Sequence, residues 1–211
     1  ISSLVKEYSD YIRYPIQMMI TRTKLKDGSD ANKPEYEEFS ELSTLNSMVP
    51  LWKKPKAQVT KENLDEFYKN EFHDYNAPLK GIYAKIEGSV TYDTLLFVPA
   101  RAPYDYYSKD YKKGVKLYCN GVKIMESCDE LIPDYFGFVR GVVDSADLSL
   151  NISREILQQD RQVKAIAQSL EKKILAELKK MLENDRENYE KMFAEFGLSI
   201  KFGVYAGFGM N

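Results

Sequence analysis

The chain has 211 residues, 44% of them apolar, which suits one large domain or a domain with a helical appendage and needs no disulfide staples. Its 30 basic and 32 acidic residues leave a net charge of −2, so no global electrostatic attraction to nucleic acid or to an anionic membrane is expected, and any anion site has to be local. Two cysteines, Cys119 and Cys128, and a single histidine, His73, exclude a CxxC redox pair and a zinc cluster, and a reducing cytoplasm is the expected compartment. The start lacks an initiator methionine and a signal-peptide profile, and no apolar run reaches about 18 residues, so the chain reads as a piece excised from a longer protein.

Residues 1–14 place Leu4, Val5, Tyr8 and Ile12 on one helical stripe before Pro15 forces an extended exit. Strands are expected over 16–24 and 36–45, separated by a solvated turn at 26–34 rich in Asp, Gly, Ser and Asn. Thr60 is an N-cap with Asn63 at the third helical position, opening a short helix through Leu64, Phe67 and Tyr68. Alternation over 79–87 and 89–98, split by Gly88, predicts a hairpin of two antiparallel strands that ends at Pro99. An aromatic loop follows at 101–107, then strands at 115–118 and 122–125 around an Asn120-Gly121 turn. Asp129 should start a helix whose apolar face is Tyr135, Phe136, Phe138 and Val139.

From Arg154 to Ala194 there is neither proline nor glycine. Val163, Ile166, Ala167, Leu170, Ile174, Leu178 and Leu182 recur at helical spacing opposite Lys172, Lys173, Glu177 and Lys180, which predicts a long packed helix. Asn184-Asp185 interrupts it before a second helix carrying Tyr189, Met192, Phe193 and Phe196, with Gly197 as its C-cap, and the tail from 203 to 211 should be irregular.

The chain has no GxxxxGK[ST] loop and no GxGxxG after a strand, so autonomous nucleotide binding is not expected. His73-Asp74 has no GxSxG elbow to make a hydrolase triad, and His73 reads as a surface residue. Cys119 reads as a small hydrophobe in a strand. Asp129 and Glu130 read as complements to a helix dipole rather than metal ligands, and no metal site is expected. Tyr104, Tyr106, Tyr107 and Tyr111 could hold a polypeptide, or simply pack against the sheet. The sharpest local feature is Arg154, flanked by Asn151, Gln158 and Gln159 where a polar loop becomes an amphipathic helix. A guanidinium grips two anion oxygens at once and free N–H groups at a helix start favour anions, so this is a place to meet phosphate. An ordinary surface ion pair is the competing reading.

Three spaced motifs, at 129–133 (Asp-Glu-Leu-Ile-Pro), 141–145 (Gly-Val-Val-Asp-Ser) and 150–159 (Leu-Asn-Ile-Ser-Arg-Glu-Ile-Leu-Gln-Gln), closely resemble the middle domain of the heat-shock protein 90 chaperone family. Tyr8-Ser9-Asp10, Pro50-Leu51-Trp52, Glu66-Phe67-Tyr68-Lys69 and Arg101-Ala102-Pro103 extend the resemblance over nearly the whole chain. The bacterial members, high-temperature protein G, look nearest, because Tyr8-Ser9-Asp10 passes directly into the fold without the long charged linker of cytosolic eukaryotic relatives.

The resemblance implies an α/β (α+β) fold: a layered α/β/α part with a mixed or antiparallel sheet over residues 1–153, then a helical connector and truncated end over 154–211. It also implies a homodimeric, ATP-dependent cytoplasmic chaperone in which ATP and magnesium are bound mainly by an N-terminal domain and dimerisation belongs to a C-terminal one. The fragment would be monomeric, would not be an enzyme alone, and would bind client polypeptides, but not nucleic acid or membrane. Arg154 matches the family's catalytic arginine, and Asn151 and Gln158 match polar residues of the same loop. Two positions depart from the pattern. Lys123 stands where relatives often carry a large apolar side chain that meets the N-terminal domain, and Tyr75 aligns with an exposed aromatic, tryptophan in some relatives, implicated in client contact. The alternative function is a protein-interaction module without a catalytic contribution.

Overall fold

A computed structural model describes residues 1–25, 36–148 and 160–207. The chain divides into two compact units, Ile1–Pro50 and Leu51–Asn211. The boundary expected at 153/154, the turn expected at 26–34 and the end of the tail at 208–211 lie outside the described residues.

In the first unit, α1 (Ser2–Tyr8) is shorter than expected and buries no residue. It stops because the next residues are recruited by a distant strand end. The Asp10 carboxylate accepts from Ser47 N–H at 2.8 Å and pairs with Lys6 at 2.8 Å, while the Asp10 carbonyl accepts from Met48 N–H at 2.9 Å. Ile12 therefore never joins the helical stripe. β1 (Gln17–Leu25) and β2 (Tyr36–Thr44) form an antiparallel ladder from Gln17↔Thr44 to Leu25↔Tyr36. Its base is tied by buried Asn46, whose amide accepts from Ile16 N–H and donates to the carbonyls of Ile12 and Tyr14 at 2.7, 2.9 and 2.9 Å.

The second unit is built on a five-stranded mixed sheet in the order β3-β4-β7-β5-β6. The strands are β3 (Lys80–Ile86), β4 (Tyr92–Val98), β5 (Val115–Cys119), β6 (Val122–Met125) and β7 (Arg140–Asp144). All neighbours are antiparallel except β5 and β7, which are parallel. Asn120 and Gly121, at φ 51° and 79°, make the expected tight turn between β5 and β6. The helix expected from Asp129 is instead two 3₁₀ turns, Asp129–Leu131 and Asp134–Phe136. Pro133 cannot donate to a continuing helix, and Lys113 Nζ takes the carbonyls of Asp129 and Ile132 at 2.9 and 3.0 Å. The strand that follows, β7, lies in the middle of the sheet and was not anticipated.

Both sheet faces are covered. On one side α2 (Lys61–Phe72) packs Phe67, Tyr68 and Phe72 around Phe97, with Trp52 against Tyr118. The predicted cap is present as a reciprocal capping box between Thr60 and Asn63. On the other side α3 (Arg161–Asn184) and α4 (Arg186–Gly207) cover Ile82, Leu96, Val98, Val115, Leu117 and Val143. Of the predicted stripe, Val163, Ile166, Leu170, Ile174 and Leu178 are buried, joined by Met181, while Leu182 is exposed.

α4 does not end at Gly197, and residues 203–207 are helical rather than irregular. Tertiary contacts override the glycines. Phe196 is fully buried and stacks on Phe138 at 4.5 Å, and Ser199 bonds the Tyr106 hydroxyl at 3.0 Å. Gly203 lets the helix lie on Tyr135, where a Cβ would come within 2.3 Å of the ring.

Gly141, paired with Leu96 in the middle of the sheet, is equally constrained, because a Cβ there would stand 2.3 Å from the Leu95 carbonyl oxygen. Gly141→Ala should cost about 1–3 kcal/mol or more in urea unfolding. Gly88→Ala, with nothing within 4 Å, should change stability by less than about 0.5 kcal/mol.

Candidate functional site

Asn151, Arg154 and Gln158 lie outside the described residues, but both ends of the segment that carries them are described. On the incoming side, β7 is followed by Ser145, whose hydroxyl donates to the Thr91 carbonyl at 2.7 Å and whose N–H donates to the Tyr118 carbonyl at 3.1 Å. Asp147 accepts from Thr91 N–H at 2.8 Å. Leu148 is buried, and its carbonyl accepts from the Cys119 thiol at 3.0 Å. On the outgoing side, Asp160 caps α3 by accepting from Gln162 and Val163 N–H at 2.6 and 3.2 Å. Residues 149–159 thus span two fixed points.

Five residues before that segment begins, Asp144 is buried with no exposure. Its carboxylate accepts from the Trp52 indole at 3.1 Å and from Gly121 N–H at 3.4 Å, and it pairs with Lys53 at 3.3 Å. Lys53 also holds Asp93 at 2.9 Å, which Lys85 approaches at 3.9 Å. Burial works to lower the Lys53 pKa, but its bond to Asp93 and the Asp144 charge outweigh that and hold it above the ordinary 10.5. One buried carboxylate therefore joins the 3₁₀ turn Leu51–Lys53, the β5–β6 turn and the end of β7. This cluster was not foreseen as a unit, although Trp52 and Asp144 each stand inside a motif quoted above.

Lys123, on β6, has a side chain only 9% exposed and an ammonium 2.6 Å from Glu126. Glu126 also takes Lys116 at 2.6 Å, which in turn reaches Glu71 of α2 at 2.8 Å. Burial would raise the Glu126 pKa, but the two lysines bring it below the usual carboxylate value.

Tyr75 is 96% exposed, on the loop that follows α2. The loop leaves α2 through His73 in the left-handed conformation, and Asp74 braces it by accepting from the Tyr68 hydroxyl at 2.8 Å and from Asn76 N–H at 2.9 Å. Tyr75 lines a groove of roughly 310 Å³ with Arg101, Pro103 and Arg140. Neither arginine was singled out for chemistry in the sequence; Arg101 appeared only in the Arg101-Ala102-Pro103 motif.

His73 is exposed, and burial raises the Cys119 thiol pKa and pushes that of Cys128 up to about 12, so neither is an activated nucleophile. Among the described residues no group of three or more His, Cys, Asp or Glu side chains is placed to hold a metal. Of the tyrosines in the aromatic loop, Tyr106 is buried in contact with Phe196 of α4, and that burial pushes its hydroxyl up to about 12, whereas Tyr104 is fully exposed. No described helix is long and apolar enough to cross a membrane.

The sequence matches the family described as Hsp90 protein over residues 26–208. A chaperone protein HtpG of Clostridium acetobutylicum is 54% identical over 209 residues, which are 99% of this chain and 33% of that protein. Another, from Oceanobacillus iheyensis, is 50% identical over 211 residues, again 33% of its length. The chain thus spans 33% of the length of these curated relatives. Among solved structures, the middle domain of a putative heat shock protein of Plasmodium falciparum matches with a TM-score of 0.65 at 26% identity, over 74% of this chain and 60% of that one.

Asp144→Asn keeps the shape but removes the charge that Lys53 and Trp52 meet, and should cost about 1–3 kcal/mol in urea unfolding at neutral pH. Because the Lys53 pKa is raised on folding, its contribution is complete below pH 10.5 and is lost as the pH climbs through the higher folded value. Lys53→Met should accordingly show a shallower alkaline loss of stability than the parent chain when thermal melts are compared across that window.

Proposed function

Because the chain belongs to the Hsp90 family, we propose that it serves as the middle domain of an ATP-dependent chaperone, binding client polypeptides and supplying Arg154 to a nucleotide site carried by another domain of the full-length protein. The observation that carries this reading is the anchoring of residues 149–159 at Leu148 and Asp160, in a chain whose sequence has no phosphate loop of its own. Such a segment completes a site rather than forming one.

Bound ATP with magnesium would supply a γ-phosphoryl group whose transfer to water spreads negative charge over its oxygens. Arg154 contributes a permanent planar cation able to bond two of those oxygens, and favours the charge of the transition state over that of bound ADP. Gln158, four residues on, has the spacing of one helical turn and would orient the guanidinium or touch the neighbouring domain. Asn151 would bond phosphate or cap the helix that presents Arg154. Hydrolysis then depends on the other domain closing onto this one. Lys123, held by Glu126, presents a polar contact where relatives use an apolar one, and Tyr75 presents a ring to clients. Dimerisation through a further domain and a cytoplasmic location belong to the same reading.

A pure interaction module is the second reading, favoured by the braced loop that holds Tyr75 in solvent. In the full-length protein Arg154→Ala should slow ATP turnover by about 10³-fold while ATP affinity, measured by calorimetry, stays nearly unchanged. Undiminished turnover would leave the interaction module standing.

A further inference from the structure

The groove beside Tyr75 has two walls, each held by bonds from side chain to backbone. One wall is the 73–76 loop, braced by Asp74. The other is the Pro99 to Pro103 turn, where Ala102 N–H donates to Glu195 at 2.9 Å and two prolines limit the backbone. Arg140, at the start of β7, lines the groove between them. Among the described residues neither Arg101 nor Arg140 is ion-paired.

A second hollow of roughly 240 Å³, lined by Lys112, Lys113 and Lys116, shares Phe72, His73 and Arg140 with the first. Five cationic side chains thus line the two hollows against three carboxylates, Asp74, Glu71 and Glu126, on a chain whose net charge is −2. The carboxylates are already engaged, Asp74 by Tyr68 and Asn76, Glu71 by Lys116, and Glu126 by Lys116 and Lys123. The cations in surplus are Arg101, Arg140 and exposed Lys112. Between them lie apolar surfaces, from Tyr75, Pro103 and Phe72.

We propose that the groove beside Tyr75 holds extended acidic stretches of polypeptide in which carboxylates alternate with apolar side chains, the carboxylates bonding Arg101 and Arg140 and the apolar groups resting on Tyr75 and Pro103. The proposal rests on the reading of the chain as a client-binding middle domain and gives that binding a chemical preference. Alternation suits the groove because an extended strand turns successive side chains to opposite sides, one toward the arginines and one toward Tyr75 and Pro103. A duplex nucleic acid is disfavoured, since the chain as a whole carries a net charge of −2.

The test is fluorescence anisotropy with a labelled peptide alternating Glu with Leu and Ser, against the same peptide with Gln in place of every Glu. The Glu peptide should bind the purified chain roughly tenfold more tightly than the Gln peptide, and added salt should narrow the gap. Arg101 is exposed, so Arg101→Glu should leave the thermal melt unchanged; it should weaken the Glu peptide roughly tenfold and leave the Gln peptide as it was. Tyr75→Ser should weaken both. Equal affinities for the two peptides, both lost in Tyr75→Ser, would overturn the acidic preference and leave client binding at Tyr75 intact. An Arg101→Glu variant that still prefers the Glu peptide would overturn the groove as its site. Binding of neither peptide would overturn the proposal together with Tyr75 as a client contact.

Discussion

A carboxylate removed from water stays charged only if donors and cations surround it, since an unpaired buried charge costs several kcal/mol. Asp144 is such a group, and the indole of Trp52, the ammonium of Lys53 and the N–H of Gly121 converge on it. These partners come from places far apart in the chain. They begin just past the junction between the two compact units, in the β5–β6 turn, and at the end of β7 that leads to residues 149–159. Moving any of them would strand the charge, so the end of β7 is fixed with the precision of a hydrogen bond. Whether that rigidity serves specificity more than stability is a separate matter, because a buried ion pair often adds little net free energy over apolar packing.

The sheet makes this arrangement possible by burying both its faces. Leu96, Val98, Val115 and Val143 turn toward α3 and α4, while Phe97, Tyr118 and Asp144 turn toward α2 and Trp52. Thr94, within β4, satisfies its hydroxyl on the Val142 carbonyl rather than in solvent. Among the described residues no buried side-chain polar atom lacks a partner. Polar groups are thus admitted to the interior only as closed networks.

The two surfaces proposed to act, the segment that carries Arg154 and the groove beside Tyr75, share β7. Asp144 stands at its end and Arg140 at its beginning, both turned to the face that α2 covers. The strand that joins them in sequence is held centrally between β4 and β5. The same central position demands Gly141, whose Cα is pressed against Leu95 and Leu96.

Much of this was legible in residue order. Helical spacing gave the core stripe of α3 from Val163 to Leu178, Thr60 and Asn63 marked the start of α2, and Asn120-Gly121 marked a turn that only two left-handed residues can make. These are local signals, written in periodicity and in single side chains that satisfy nearby backbone. The motifs around Asp144 and Arg154 likewise pointed to the family that the comparisons show. What residue order did not give was β7, because a central strand buried on both faces has no alternation to read, and the continuation of α4 through Gly197 and Gly203, because Phe138, Tyr106 and Tyr135 hold it from outside the helix. The convergence on Asp144 and the pairing of Arg101 with Arg140 across one groove were also invisible there. Sequence alone determined the elements that carry a local signal and the chemistry available at each position; which side chains meet was decided by tertiary structure, since contacts between residues about 90 positions apart, such as Trp52 and Asp144, leave no periodic trace along the chain.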